Sequence, residues 1–497
     1  MVPAPLRAER REGRPFVLRP GVRIQVARDP TAVAAAVRLA TQVGREVDGP
    51  VAVAHEDGPA PGVIALRLTA DRSVLPVPDR LPSTLAAEAY RLEVDQQRVM
   101  ITALEPSGLI RGVQTLVQLI AHDPEHGGGV IEPILVVDHP RFAWRGLMLD
   151  LARHFFDTET VRAVVGVMAS LKLNMLHLHL TDDQGWRLSI PSRPELATIG
   201  GATAVGRDPG GWLSAGDYAE LVAFASAHGV TIVPEIDLPG HVGAALSTYG
   251  ALSPDGRRMP AYTGVEVGFS RLHIGLPATE PFIRDVLTDV ARMTPGPYLH
   301  IGGDEVLTME HGEYAELVSL AADAVCGAGK RVVGWQEIAS VPLPAGSVVQ
   351  YWDDREDTTD VLAAVDGGAQ VLLSPASKVY LDMKYDDATP VGAEWAGHIG
   401  LEAAYAWEPA DVIGLPDRQI AGVEAAVWTE TVRTPRELFV LLLPRLAATA
   451  EVAWSALDRR GYDDFVARLD LTTPQWDAAG WPWYRAAARP GSSVGSG

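Results

Sequence analysis

Residues 175–186 read Met-Leu-His-Leu-His-Leu-Thr-Asp-Asp-Gln-Gly-Trp, an alternating strand-like run that passes directly into polar and aromatic residues. From about residue 139 onward, short apolar runs alternate with longer helical segments, which is typical of parallel βα units. Eight strands with intervening helices predict an α/β fold, the (β/α)8 TIM barrel. The predicted strands cover residues 146–151, 175–180, 230–236, 298–301, 331–334, 348–351, 371–374 and 422–427.

Three of the intervening helices carry start signals in the sequence. Asp157 lies ahead of an apolar helical run, and Ser214 with Asp217 has the spacing of a capping box. Thr279 followed by Pro281 marks the beginning of a third helix. These signals support the alternation of strands and helices.

A different pattern precedes the barrel. Between residues 16 and 137, short alternating runs are mixed with two helical runs. We predict a small α+β accessory domain with a helix packed on one face of its sheet, and a scaffolding role because none of its side chains suggests chemistry. The predicted boundaries are residues 1–138 for this domain, 139–485 for the barrel and 486–497 for a disordered tail.

Composition narrows the class of partner. The chain of 497 residues is 47% apolar, and its 63 acidic against 42 basic residues leave a net charge of −21. Such a charge repels phosphate backbones and anionic lipids, so we expect no nucleic acid and no membrane partner. No run approaches the roughly 20 apolar residues of a membrane span, and the first residues lack a signal-peptide core. We therefore expect a soluble chain whose compartment stays open.

The single cysteine, Cys326, lies in an apolar helical stretch. One cysteine excludes an intrachain disulfide and a Cys-based zinc site. The apolar surroundings predict a buried structural thiol.

The residues that follow the predicted strands are unusually polar and aromatic. Active sites of this fold lie at the carboxyl ends of the strands, so these residues should converge. A lone Arg can be a surface ion pair and a lone Trp a core residue, but several tryptophans and carboxylates together suit a sugar ring. The segment 380–411, rich in Trp, Tyr and Gly, predicts an active-site loop. The converging residues include Arg153, His154, Asp182, Asp183, Trp186, Asp237, His241, Asp304, Glu305, Trp335, Trp352 and Trp428.

Asp304 and Glu305 are adjacent carboxylates in the run Leu-His-Ile-Gly-Gly-Asp-Glu. An ordinary retaining glycosidase needs two carboxyl groups about 5–5.5 Å apart on opposite sides of the anomeric carbon. Neighbouring residues have Cα atoms only about 3.8 Å apart and, in an extended chain, point to opposite sides. One can be the acid, and the other is poorly placed as nucleophile. A 2-acetamido oxygen of the substrate would fill that role, since intramolecular attack reaches effective molarities on the order of 10⁵ M.

His177 and His179 lie on one face of the second predicted strand. A His-x-His pair on a barrel strand is also found at metal sites. That alternative requires more histidines at later strand ends, whereas the fifth, sixth and eighth strands end in tryptophan. Hydrogen-bonded interior histidines are therefore the preferred interpretation.

Five motifs together resemble glycoside hydrolase family 20, in order and spacing across roughly residues 140–457. The N-terminal segments Glu-Ala-Tyr-Arg-Leu and Gly-Val-Gln-Thr-Leu-Val-Gln-Leu are similar to the accessory domain of that family, so the resemblance covers nearly the whole chain. The barrel motifs are Arg-Gly-Leu-Met-Leu-Asp-Leu-Ala-Arg-His-Phe-Phe, His-Leu-His-Leu-Thr-Asp-Asp-Gln-Gly-Trp-Arg, Pro-Glu-Ile-Asp-Leu-Pro-Gly-His, His-Ile-Gly-Gly-Asp-Glu and Trp-Thr-Glu.

The resemblance implies a retaining, exo-acting β-N-acetylhexosaminidase that uses no cofactor or metal. This family is one of the known substrate-assisted exceptions among retaining enzymes, with an oxazolinium intermediate. By the resemblance, Glu305 protonates the leaving oxygen and Asp304 orients the acetamide N–H, while Tyr380 donates to the acetamide oxygen. The remaining implied roles are support of Glu305 by Asp182 and His241, a methyl pocket of Trp335, Trp352 and Trp428, and ring-hydroxyl binding by Arg153, Asp382 and Glu430.

Several alternatives stay open at this point. Arg153 and Glu430 could form a plain ion pair. The chain could be a metal-dependent TIM-barrel hydrolase or a catalytically silent sugar-binding barrel. The preference between N-acetylglucosamine and N-acetylgalactosamine, the natural polymer, release of a mono- or disaccharide, and the oligomeric state are also open, and the glycine-rich loop 200–211 leaves the aglycone side poorly specified.

Overall fold

The computed structural model describes residues 1–55, 61–75, 77–78, 80–123 and 128–485. The predicted disordered tail, residues 486–497, lies outside the described residues. None of the helices in the described ranges has both the length and the apolarity needed to cross a bilayer.

The N-terminal part is a mixed sheet with helices. Its helices are α1 (Pro30–Glu46), α2 (Ser83–Ala86) and α3 (Pro106–Leu119). Its strands are β1 (Arg7–Arg10), β2 (Phe16–Val17), β3 (Arg23–Val26), β4 (Ala52–His55), β5 (Val63–Leu68), β6 (Tyr90–Val94), β7 (Arg98–Ala103), β8 (Ala121–Asp123), β9 (Gly128–Ile131) and β10 (Ile134–Asp138).

Seven of these strands form one sheet in the order β1-β10-β6-β7-β5-β3-β4, while β2, β9 and β8 pair in a small second sheet. The amphipathic helices α1 and α3 share one apolar core with the large sheet, where Leu39 and Val113 lie with Ile24 and Ile101. The predicted α+β architecture is confirmed.

Eight parallel strands close into a barrel, because each pairs with the next and the last pairs with the first. All eight predicted strands are found, with ends displaced by at most two residues, so the predicted barrel is confirmed. The strands are β11 (Trp144–Asp150), β12 (Met175–His179), β13 (Thr231–Glu235), β14 (Tyr298–His300), β15 (Arg331–Trp335), β16 (Val348–Tyr351), β17 (Gln370–Leu373) and β18 (Ile420–Val427).

Helices lie between the barrel strands along the chain and after the last strand. The α-helices are α4 (Thr158–Ser170), α5 (Ala215–Ala227), α6 (Gly243–Thr248), α7 (Thr279–Met293), α8 (His311–Gly327), α9 (Thr359–Asp366), α10 (Ala376–Val379), α11 (Leu401–Tyr405), α12 (Pro409–Val412), α13 (Pro435–Leu442), α14 (Arg445–Trp454) and α15 (Tyr462–Ala479). Short 3₁₀ turns occupy Arg72–Val74, Val205–Arg207, Gly250–Leu252, Gln336–Ser340, Asp417–Gln419 and Leu457–Arg459, and a π turn Leu196–Gly200.

All three predicted helix starts are confirmed, and two of them have the predicted side-chain cap. The Asp157 carboxylate accepts a backbone N–H of the first turn of α4, and Ser214 and Asp217 form the complete capping box of α5. The third marks the right position, but Thr279 is not the cap. Ala278 occupies the cap position without a side-chain bond, and the Thr279 hydroxyl donates to a backbone carbonyl outside the helix.

The prediction for Cys326 is wrong, because this thiol is exposed. The apolar stretch around it does form α8, and the buried face of that helix contains Leu317, Ala321 and Val325. Cys326 follows Val325 by one residue, which turns its side chain away from that face toward solvent.

The barrel interior changes from apolar to polar along the strands. Side chains two residues apart share a strand face, so each inward position is followed by another two residues later. After an apolar layer, β13, β15 and β16 place Glu235, Trp335 and Gln350 inside the barrel, and this switch puts polar chemistry at the carboxyl end. The buried residues of this apolar layer are Trp144, Val233, Val333, Val348, Leu372 and Ala421.

Buried ion pairs join the N-terminal part to the barrel. Glu88 lies 2.6 Å from Arg111 of α3 and 2.5 Å from Arg145 of β11. Asp138, at the end of β10, contacts the Lys172 ammonium at 2.9 Å. If the two parts separated, these buried charges would lose their partners. The ion pairs therefore favour one arrangement of the N-terminal part relative to the barrel.

Candidate active site

Nine of the eleven predicted site residues line one cavity of about 450 Å³ at the carboxyl end of the barrel. The other two, Asp182 and His241, are buried and lie outside the lining. The nine are Arg153, Asp304, Glu305, Trp335, Trp352, Tyr380, Asp382, Trp428 and Glu430. Six of the nine follow predicted strand ends, as the strand pattern predicts, whereas Tyr380, Asp382 and Glu430 were implied by the family resemblance. The chemical roles of all nine stay predictions.

A Gly-Gly turn presents Asp304 and Glu305 to this cavity. Gly302 and Gly303 have φ of +67° and +105°, a region that favours glycine. A Cβ on Gly302 would lie 1.7 Å from Oδ1 of Asp237, so the close approach also excludes a side chain. The turn therefore depends on glycine for both conformation and space.

The expectation of an extended backbone at the acidic pair is wrong. Glu305 has φ of +49°, in the left-handed region, because the turn continues through it. The two side chains consequently face the same histidine: Nε2 of His241 lies 3.7 Å from Oδ2 of Asp304 and 3.5 Å from Oε2 of Glu305. The carboxylates thus approach the cavity from one side.

Asp304 and Glu305 differ in environment. Asp304 is 7% exposed, and one of its oxygens, Oδ1, has no hydrogen-bond partner in the described part of the chain. Burial raises the pKa of Asp304 to about 6, opposed by the charge of His241 and reinforced by that of Glu305. The side chain of Glu305 is 33% exposed and lines the cavity. The pair therefore contains one buried and one accessible carboxyl group.

Asp182 and His241 form a chain behind Glu305. Nδ1 of His241 donates to Oδ1 of Asp182 at 3.3 Å, and the other histidine nitrogen faces Glu305. Burial opposes charge on both groups, but Arg153 and His241 hold the pKa of Asp182 well below its usual range. Asp182 and Asp237 in turn raise the pKa of His241. An ionised aspartate thus orients a protonated imidazole toward Glu305.

The charged group around Arg153 is more connected than a single ion pair. Its guanidinium contacts Asp182 at 2.9 Å, whereas Glu430 is 4.0 Å away, and two of its nitrogens lack hydrogen-bond partners among the described residues. Burial and the nearby Glu430 raise the pKa of Asp382 to about 8. Protonated at neutral pH, Asp382 can donate as well as accept, which suits a sugar hydroxyl.

Aromatic rings form a continuous wall in the cavity. Trp335 and Trp428 have centroids 5.7 Å apart, and Tyr380 lies 6.4 Å from Trp428 and stacks on Trp352 at 6.2 Å. Trp335 and Tyr380 are almost fully buried, whereas Trp352 and Trp428 are partly exposed to the cavity. Such a wall fits the apolar faces and the methyl group of an acetamido sugar.

Sequence reasoning missed several lining residues. Trp395 packs edge-on against Trp352 and Tyr380, and Arg355 lies over its ring at 5.4 Å. Trp395 belongs to the segment 380–411, which was predicted as an active-site loop from its composition. Val265 and Val267 also line the cavity and come from a long connection that carried no signal.

Glu337 is a further missed carboxyl group beside the cavity. Both of its oxygens accept from the indole N–H of Trp352 at 3.3 Å. Burial and the charge of Asp304 raise the pKa of Glu337 to about 8. It borders a second cavity of about 560 Å³ that also touches Glu305, Trp352 and Arg355. The two cavities therefore meet at Glu305.

His177 and His179 are interior histidines with carboxylate partners. His177 lies 2.9 Å from Glu424 and 3.0 Å from Glu235, and Nδ1 of His179 lies 2.6 Å from Glu235. Within the described residues, four groups of three ligand-type side chains are close enough to share an ion, among them His177 with Glu235 and His300. In that group Glu235 lies 3.0 Å from His177 and 3.1 Å from His300, so the carboxylate already contacts both imidazoles.

Comparison with known proteins places this site in a family. The model of glycosyl hydrolase family 20, catalytic domain, matches residues 142–324 and 314–457, and that of family 20, domain 2, matches residues 1–139. A beta-N-acetylhexosaminidase of Cellulomonas fimi is 50% identical over 501 residues, covering 100% of this chain and 99% of the relative.

Solved structures agree over almost the entire chain. The GH20 beta-N-acetylhexosaminidase from Streptomyces coelicolor A3(2) has a TM-score of 0.91 and 38% identity, with 98% of both chains covered. A mutant Streptomyces plicatus beta-hexosaminidase in complex with its product GlcNAc gives the same TM-score and identity, covering 99% of this chain and 97% of its own.

Proposed function

The chain belongs to glycosyl hydrolase family 20 and is a glycoside hydrolase of the β-N-acetylhexosaminidase type, and from this premise we propose a retaining, exo-acting, substrate-assisted enzyme. It removes a terminal β-linked N-acetylglucosamine or N-acetylgalactosamine from oligosaccharides or glycoconjugates. Arg153, Asp382 and Glu430 offer donors and acceptors to the ring hydroxyls of that terminal sugar. Binding of a GlcNAc product by the Streptomyces plicatus relative supports this substrate class.

The observation that carries this mechanism is that Asp304 and Glu305 both face His241. Two carboxylates on one side cannot flank an anomeric carbon as acid and backside nucleophile do. The nucleophile is therefore the acetamido oxygen of the substrate, which reaches its own C1 and closes an oxazolinium ring. Hydrolysis of that ring restores the original anomeric configuration.

The acidic pair divides two tasks between an exposed and a buried group. Glu305 protonates the leaving oxygen, and the second cavity beside it has room for the departing group. Asp304 accepts the acetamide N–H through its unpartnered oxygen and compensates the positive charge of the ring-closed intermediate. A desolvated carboxylate stabilises such a charge more strongly than one in water.

The remaining lining residues hold the acetamide in an attacking geometry. Tyr380 donates its hydroxyl proton to the acetamide oxygen, while Trp335, Trp352 and Trp428 surround the methyl group. Since the rings are packed against one another, the acetamide has little rotational freedom once bound.

Fluorination of the acetamide tests the proposed nucleophile. Aryl glycosides with acetamide, fluoroacetamide, difluoroacetamide and trifluoroacetamide groups are compared, with the matching glucoside as control. Each fluorine withdraws electron density from the attacking oxygen, so kcat/KM should fall steeply along the series and be minimal for the glucoside. Equal rates along the series would contradict substrate assistance.

Product analysis tests the other parts of the proposal. Proton NMR of the first product on an aryl glycoside should show the β-anomer of the free sugar, as retention requires. On chito-oligosaccharides, release of the monosaccharide from the non-reducing end is expected. A first product with the α configuration, or internal cleavage, would refute retention or exo action respectively.

A further inference from the structure

Glu235 is a fully buried carboxylate at the end of β13 to which the proposed reaction gives no role. Its Oε1 accepts the indole N–H of Trp335 at 2.8 Å. Its Oε2 lies 2.6 Å from Nδ1 of His179 and 3.0 Å from Nε2 of His177. One side chain in the barrel interior thus contacts both the aromatic wall and an imidazole.

Two sets of contacts, called branches below, extend from Glu235: one through His179 and one through Trp335. The His179 branch extends toward Glu305, the proposed acid. The second nitrogen of His179, Nε2, lies 2.8 Å from Oδ2 of Asp182. The other oxygen of Asp182 accepts from His241, whose Nε2 faces Glu305 at 3.5 Å. The contacts therefore run in the order Glu235, His179, Asp182, His241, Glu305, and the last of them is an ion-pair contact rather than a hydrogen bond. Loss of the His179 contact would leave one oxygen of Asp182 held only by Arg153.

Charges along this branch alternate. Burial acts to lower the pKa of His179, but Glu235 and Asp182 raise it well above its usual range. Burial acts to raise the pKa of Glu235. The nearby His179, His300 and His177 outweigh this effect and hold the pKa of Glu235 well below its usual range. A protonated His179 donates from both ring nitrogens, to Glu235 and to Asp182, and so has one fixed orientation.

The Trp335 branch leads to the acetamide wall. The ring of Trp335 lies 5.7 Å from that of Trp428 and is 1% exposed. Its N–H is its only polar atom, so the bond to Glu235 determines which edge of the indole faces the barrel interior.

We propose that Glu235 and His179 are positioning residues, through which one buried carboxylate holds both the acid-supporting chain behind Glu305 and the Trp335 wall of the acetamide pocket. The inference rests on the proposed role of Glu305 as acid. It assigns to the barrel interior a function beyond packing: the acid and the sugar pocket are oriented by the same group. Loss of each branch should accordingly give a different kinetic defect.

Glu424 provides a matched control for Glu235. It is also fully buried in the barrel, accepts the indole N–H of Trp144 at 2.7 Å and lies 2.9 Å from Nδ1 of His177. Trp144 belongs to the apolar layer at the amino end of the barrel and is not among the residues that line the cavity. Glu424→Gln therefore disturbs a comparable buried carboxylate whose hydrogen bonds within the described residues go to Trp144, His177 and Gln350 rather than to His179 or Trp335.

The experiment compares the full-length variants on two glycosides. The 2,4-dinitrophenolate of the first departs without protonation, whereas the alkoxide of a methyl-type glycoside departs only when the acid protonates it. His179→Asn, whose amide is too short to reach Asp182, should lower kcat/KM at least tenfold more on the poor leaving group. His179→Gln places an amide N–H near the position of Nε2 and should recover part of that difference. We define the leaving-group ratio as kcat/KM on the dinitrophenyl glycoside divided by kcat/KM on the methyl-type glycoside. Trp335→Phe should weaken N-acetylglucosamine binding and leave this ratio unchanged. Glu235→Gln should both weaken binding and change the ratio.

The control variants separate the possible failures. Glu424→Gln should lower stability and keep the wild-type leaving-group ratio. If Glu305→Gln itself leaves the ratio unchanged, the proposed acid is wrong. If Glu305→Gln changes the ratio but folded His179→Asn and Glu235→Gln do not, the positioning role is overturned and these residues act only in packing. Thermal unfolding of each variant establishes which are folded.

Discussion

Replacement of Asp304 by asparagine should stabilise the protein at neutral pH while it removes most of the activity. Burial raises the pKa of this carboxyl from 3.8 to about 6, opposed by His241 and reinforced by Glu305. A carboxyl group whose pKa is raised on folding destabilises the folded state when it is ionised. The loss of stability caused by Asp304 therefore grows between about pH 4 and pH 6 and reaches its full value above pH 6. The difference in pKa corresponds to about 3 kcal/mol.

Asparagine has the shape of the carboxyl group but no charge. The gain in the free energy of unfolding should therefore be up to about 3 kcal/mol at pH 8 and less than about 1 kcal/mol at pH 4, where the unfolded carboxyl is itself largely protonated. Urea denaturation of wild type and variant at both pH values measures it, alongside activity on an aryl glycoside. An equal gain at both pH values, no gain at pH 8, or retained activity would refute the reasoning.

Four further outcomes are expected. Glu305→Gln should lower kcat by roughly 10²–10⁴ on poor leaving groups and much less on good ones, measured across an aryl glycoside series; a uniform loss would contradict its role as acid. In the wild type, log kcat/KM should decline as the pH falls below about 6, because Asp304 takes up a proton; a flat acidic profile would speak against an ionised Asp304. Gly302→Ala should destabilise the protein by more than the roughly 1–3 kcal/mol of a strained backbone, because the new Cβ would also collide with Asp237. Gly256→Ala is the control, since Gly256 has φ of +71° and a Cβ there would have no atom within 4 Å. In thermal unfolding this control should show the backbone cost alone. Activity should survive exhaustive chelation, checked by elemental analysis; a loss restored by one metal would favour the metal-dependent alternative.

The barrel was predictable because its signal is local and repeated. Each strand is a short apolar run bounded by polar residues, and helix caps such as Asp157 act within one turn, so neither depends on distant parts of the chain. Cys326 shows the limit of this reasoning. Its neighbours are apolar, but one position on a helix separates the buried from the exposed face.

The candidate site was predictable where residues follow strand ends. Their convergence is a property of any parallel barrel, and six of the residues that line the cavity were predicted in this way. Tyr380, Asp382 and Glu430 were implied only by the family resemblance. Val265 and Glu337 were not predictable, since the first lies in a connection without regular structure. The second depends on a tertiary contact with Trp352 that no spacing encodes.

The sequence by itself determined which polar and aromatic groups follow the barrel strands, because strand order and alternation depend on local patterns of apolar and polar residues. Only the tertiary structure decided how those groups face one another. The left-handed turn at Glu305 directs both carboxylates toward His241, although an extended chain would separate them. Burial, which depends on every packed neighbour, then raises the pKa of Asp304. Tertiary packing also brings Glu235 into contact with both His179 and Trp335. Both effects arise from contacts between residues far apart in the chain.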